Sequence, residues 1–162
     1  MQVIIAIDPG QSNGVAIFEQ NAENNGYYLK ELKTLSFWDL INFITVVFDV
    51  GGVLFLVEDA NLNKPVFSKD MPLYQVIKKA QSVGAVKRET SLLIEYLKMD
   101  NLPFEQIRPL RGAKDTARKR AFIIDTGIER SNQHVRDAYF IGRAYITQIL
   151  KSKIQNNDQE NS

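Results

Sequence analysis

An apolar run, Val3 to Ile7, ends on Asp8, turns through Pro9, Gly10, Gln11, Ser12, Asn13 and Gly14, and leads at once into a second apolar stretch, Val15 to Phe18. Two short runs of this kind around a Pro-Gly turn predict an antiparallel pair of strands, over 2–8 and 14–20. Such a pair carries one carboxylate to the rim of a sheet. The pattern of an apolar run ending on an acid returns at Leu54 to Val57, which runs into Glu58-Asp59. A third carboxylate, Asp137, stands in the stretch Asn132-Gln133-His134-Val135-Arg136-Asp137-Ala138. Three acids far apart in sequence, at least two of them on strand ends, point to a metal-dependent active site. Each also has a plainer reading: Asp8 as an ordinary turn residue, Asp137 as an acid favoured at a helix start, and His134, the one histidine, as a structural imidazole.

The totals narrow the class. A chain of 162 residues is one domain by length and can bury a sizeable core. It has no cysteine, which excludes disulfides and thiolate metal sites and fits a reducing compartment. The N-terminus lacks the basic-then-apolar pattern of a signal peptide, and no apolar run reaches the roughly 18 residues of a membrane span. The net charge of +1 does not by itself point to nucleic acid. Its distribution is more useful than the sum: Arg108, Arg111, Lys114, Arg118, Lys119 and Arg120 are opposed in that stretch by Asp115 alone. A local basic stripe suits polyphosphate, although a solvated helix face has the same composition.

Along the chain, 27–35 alternates as a third strand. Ser36 with Asp39 forms a variant capping box that starts a helix over 37–50, ended by Gly51-Gly52. Val53 to Val57 reads as a buried central strand. A polar loop with a lone Phe67 follows. From Leu73 to about Lys98 apolar residues recur at helical spacing, with Gly84 placed where another helix could approach closely. Residues 104–107 predict a fifth strand, 114–124 a short basic helix, and Asn132 the N-cap of a last helix running to about Ile149. The polar residues 153–162 are expected to form a disordered tail, leaving 1–152 as the folded domain. Three strands in a meander followed by helix–strand alternation predict an α/β fold, a mixed five-stranded sheet with helices on both faces.

The chemistry of a hard cation supports grouping the acids. Magnesium takes oxygen ligands, and two such ions about 4 Å apart serve phosphodiester hydrolysis. Neighbouring side chains on a strand point to opposite faces, so Glu58 and Asp59 cannot both enter one site. Glu58 continues the strand and is the favoured ligand. His134 and Asp137, three residues apart, share a helix face.

With Ile7-Asp8-Pro9-Gly10 and Gly14-Val15-Ala16 as a first motif, Val57-Glu58 as a second, and Asn132 to Ala138 as a last, the chain resembles the RuvC-type Holliday junction resolvases. It resembles specifically their compact phage-encoded members, within the RNase H-like superfamily. The resemblance covers nearly the whole chain before the tail. It implies a homodimer that binds branched DNA, above all four-way junctions, each subunit nicking one strand with two ions of magnesium, or manganese in its place. Asp8, Glu58 and Asp137 would then be metal ligands, Asp8 between the two ions, and His134 a ligand or a group that positions the attacking water. Lys114, Arg118 and Lys119 fall where relatives place phosphate-binding residues, and Phe67 is the candidate for an aromatic residue that stacks at the junction centre. The setting implied is the cytoplasm of a bacterial cell or phage-infected host, in DNA recombination and repair. An RNase H-like nuclease acting on structured RNA or other intermediates shares all these residues. A non-catalytic nucleic-acid-binding module of the same fold is a further alternative.

Overall fold

The computed structural model describes residues 2–48, 51–63, 71–109 and 116–160, with side chains described as far as 152. Its first three strands are β1 (Val3–Asp8), β2 (Asn13–Gln20) and β3 (Tyr27–Leu35). Helix α1 (Phe37–Phe48), strand β4 (Val53–Glu58), a 3₁₀ turn (Ala60–Leu62) and the long helix α2 (Leu73–Met99) follow. The chain then forms β5 (Phe104–Ile107), α3 (Thr116–Thr126) and α4 (Gln133–Glu160). The five strands make one sheet in the order β3-β2-β1-β4-β5. β1 pairs antiparallel with β2, and β2 with β3; β1 pairs parallel with β4, and β4 with β5. This is the mixed, five-stranded sheet with a meander at its start that the sequence predicts.

Strand side chains alternate between faces, and the sheet obeys this rule with few exceptions. Ile5, Ile7, Val15, Ile17, Val53, Phe55 and Val57 point to one face, where Leu40 and Ile44 of α1 and Leu93, Ile94 and Leu97 of α2 cover them. Ile4, Ala6, Ala16, Phe18 and Leu56 point to the other, under Phe122 of α3 and Ala138, Tyr139, Ile141 and Ile146 of α4. β1 is buried from Ile4 onward because both faces are covered, which is why its run is continuously apolar. Each fully buried isoleucine contributes roughly 1.5–3 kcal/mol of transfer free energy.

Local signals set the element ends. The Asp39 amide donates to Ser36 Oγ at 3.2 Å, as the capping box requires. Gly51 and Gly52 carry φ of 75° and 69°, a left-handed exit that glycine enters without strain. Three expectations are corrected. The last helix continues to Glu160, beyond the end expected near Ile149. The loop after β4 begins with the 3₁₀ turn Ala60–Leu62. Among the described residues of the chain an added Cβ on Gly84 meets nothing within 4 Å, so no described helix of the same chain approaches it there.

Candidate active site

The alternation of β1 and β4 decides where the acids go. Asp8 follows Ile4 and Ala6 on the α4 face, and Glu58 follows Leu54 and Leu56 on that same face. The two strands are parallel neighbours with Ile7 opposite Val57, so their terminal carboxylates emerge side by side. Asp59 has the opposite parity. It is 4% exposed, its Oδ1 accepts from the Asn61 amide at 2.8 Å, and its Oδ2 accepts from Gln106 Nε2 at 3.2 Å. Asp59 is thus the cap of the 3₁₀ turn and a tie to β5. Glu58 is the acid directed to the site, as the alternation predicts.

The first turn of α4 comes down onto these strand ends because two positions lack side chains. Gly14, opposite Asp8 in the β1–β2 register, lies so close to α4 that an added Cβ would sit 2.1 Å from the His134 carbonyl oxygen. Farther along, a Cβ on Gly142 would fall 2.2 Å from the Phe18 ring. Ala6 and Ala16, paired in register beneath Ala138, keep the space between these points shallow. Asn132 caps the helix: its Oδ1 accepts from the Val135 amide at 2.9 Å, while its Nδ2 donates to Thr34 Oγ1 at 2.7 Å. One residue therefore both starts α4 and ties it to β3.

The seating brings His134 to Asp8, with Nδ1 2.7 Å from Asp8 Oδ2. A carboxylate only accepts, so the imidazole N–H donates, which fixes the ring orientation. Gly10 completes the arrangement; an added Cβ there would stand 2.9 Å from His134 Cε1. Asp137, one turn on, accepts at Oδ1 from Arg118 Nη1 at 3.2 Å and at Oδ2 from Gln133 Nε2 at 3.1 Å. The Arg118 guanidinium also lies 6.0 Å from the centroid of the Phe140 ring. Arg118 comes from α3, so the site draws on β1, β4, α3 and α4.

Asp8, Glu58, Gln133, His134, Asp137 and Arg118 line one cleft of about 220 Å³. The four residues predicted to be catalytic are thus brought together. Lys119 is exposed on α3. Lys114 and Phe67 lie outside the described residues. A larger open groove, about 1030 Å³, runs between β3 and α4, but neither Asp8 nor Glu58 lines it. The smaller cleft is the one that gathers the candidate residues. Sequence reasoning missed the role of Gln133 and the pairing of Arg118 with Asp137. The spacing of Gln133 and Asp137, four residues apart on a helix, is a signal for the first.

The donor set suits a hard divalent cation by type: three carboxylates and one imidazole. Among the described residues no group of three His, Asp or Glu side chains converges closely enough to hold an ion.

No family model matches the chain, and no curated protein sequence matches it. Solved structures do. The chain is similar to the Fowlpox virus resolvase in complex with its substrate, Holliday junction DNA, with a TM-score of 0.52 and 12% identity, covering 92% of this chain and 99% of that one. It is similar also to the Fowlpox virus Holliday junction resolvase, with a TM-score of 0.53 and 11% identity over 91% of this chain and 99% of that one. The fold is RNase H-like. At this identity the likeness extends to architecture, and the RNase H-like frame is what carries the two strand-end acids and the α4 acid to a common cleft. No helix among the described residues is long and apolar enough to cross a membrane.

Proposed function

We propose that the chain is a structure-selective endonuclease that nicks Holliday junctions or other branched DNA by metal-dependent hydrolysis. The observation that carries this reading is the convergence of Asp8, Glu58, His134 and Asp137 on one cleft of an RNase H-like fold, with Arg118 at its wall. The likeness to a resolvase that binds junction DNA supports the substrate class. Asp8, Glu58 and Asp137, with His134, would hold magnesium, or manganese in its place, as a pair of ions. Bound there, the metal supplies charge neutralisation at the scissile phosphate and a more acidic water.

The chain's own residues do the positioning. Asp8 fixes the His134 ring, and α4, seated on Gly14, fixes His134 and Asp137 one turn apart. Arg118, with Lys119 and Lys114 of the same basic stretch, would meet phosphate, and Phe67 the junction centre. Water attacks the phosphodiester directly; no cysteine is available as a covalent nucleophile. We assign the active form as a homodimer in the cytoplasm of a bacterial cell or phage-infected host. The exposed Leu73, Tyr74 and Ile77 of α2 are the surface offered to the second copy.

The test is cleavage of synthetic four-way, three-way and linear duplex DNA, and of structured RNA, with magnesium. Asp8→Asn is expected to abolish nicking while leaving four-way junction binding nearly intact. Wild-type cutting rates in that variant would overturn the site assignment. Cleavage confined to RNA would move the substrate to the alternative nuclease reading.

A further inference from the structure

We infer that Arg118 gates Asp137, holding the carboxylate while the cleft lacks nucleic acid and releasing it when a phosphate takes the guanidinium. This rests on the nuclease reading and adds to it a linkage between nucleic-acid binding and metal binding. The starting point is the mismatch between donors and arrangement. The donor types suit a divalent cation, yet no three of them converge among the described residues. The carboxylates are instead engaged with the protein's own groups. Both oxygens of Asp137 accept hydrogen bonds, from Arg118 at 3.2 Å and Gln133 at 3.1 Å, and Asp8 is engaged by His134.

Arg118 is the partner suited to exchange. It carries a full positive charge next to a proposed ligand, so it lowers the attraction of Asp137 for a dication by both charge and competition. Its side chain keeps 23% of its exposure and that of Asp137 15%, so the ion pair sits at the cleft wall rather than in the core. An ion pair with solvent contact is a modest restraint. A phosphate offers the planar guanidinium two oxygens in the geometry it binds best. The Phe140 ring beside the guanidinium gives it a surface to pivot on without leaving the cleft. Gln133, neutral and on the same helix as Asp137, has no charge to compete for a phosphate and stays as the orienting contact. Metal and substrate would then bind with positive coupling, because each removes a cost that the other otherwise meets.

The first measurement needs no DNA. Manganese binding to the 162-residue chain is read from the free-ion electron paramagnetic resonance signal for wild type, Arg118→Gln and the double variant Arg118→Gln/Asp137→Asn. Arg118→Gln is expected to bind manganese about tenfold more tightly than wild type, as removal of one charge near a dication implies. The double variant is expected to lose that gain. Equal affinity in wild type and Arg118→Gln overturns the inference, as does a gain that survives Asp137→Asn. The second measurement is the salt dependence of four-way junction binding, whose logarithmic slope is expected to fall by about one in Arg118→Gln. An unchanged slope overturns the exchange with phosphate. A protein that never nicks branched DNA but shows the manganese gain sinks the nuclease reading alone; nicking without the gain sinks the gate alone.

Discussion

Helices α4 and α2 are similar in length, 28 and 27 residues, but their first halves are built on opposite terms. α4 begins on a side-chain cap from Asn132, and within three turns Val135, Ala138, Tyr139 and Ile141 are buried. α2 begins at Pro72 with no side-chain cap, and its first buried residue is Thr90. Leu73, Tyr74 and Ile77 remain 50–75% exposed. The contrast separates two demands. α4, which carries His134 and Asp137 into the cleft, is pressed onto glycine and alanine and has little freedom to shift. The first half of α2 is the reverse, an apolar helix half that the described residues of the domain leave bare.

The same substitution in the two helix environments should have opposite signs. Gly14→Ala puts a methyl group into the backbone of α4 and should cost about 3 kcal/mol, the upper part of the usual overpacking range. A urea midpoint unchanged from wild type would break the account of how α4 is seated. Gly142→Ala meets a ring edge rather than backbone, so a smaller loss, about 1–3 kcal/mol, is expected in the same denaturation series. Asn132→Ala removes the α4 cap and the link to Thr34, for about 1 kcal/mol. In α2, Gly84→Ala has open space among the described residues and should stabilise by up to about 1 kcal/mol, the opposite sign to that expected for Gly14→Ala. The smallest stability effect belongs to Leu73→Ser with Ile77→Ser, within about 0.5 kcal/mol because neither side chain is in the core. Sedimentation sharpens this last case. A shift from dimer to monomer in that variant would assign the bare half of α2 to the second copy, and an unchanged dimer would assign it elsewhere.

Much of the frame was legible in the residues because the signals were local. Ser36 and Asp39 announced the start of α1, Gly51-Gly52 the break before β4, and Asn132 the start of α4. The rule that separated Glu58 from Asp59 is a property of any strand, and the structure keeps it. Other features were not legible. Gly14 belongs to the Asp8 turn motif in the sequence, yet its contact is with a helix backbone more than a hundred residues away. A Cβ added to Gly84, a glycine in an equally apolar setting, would meet nothing among the described residues. No local pattern distinguishes them, since the difference is what stands opposite. The basic stretch was readable as charge, but not its division between Arg118 on a carboxylate and Lys119 in solvent.

Alternation and helical spacing follow from backbone geometry alone, so the order of residues was enough to place Asp8 and Glu58 at strand ends and His134 and Asp137 on one helix face. That these residues meet at one cleft, that His134 is aligned by Asp8, and that Asp137 is held by Arg118 emerged from the folded chain alone. Those outcomes depend on how closely one helix can approach one sheet. That distance is set by side chains missing at Gly14 and Gly142, in segments that the chain brings together only when it folds.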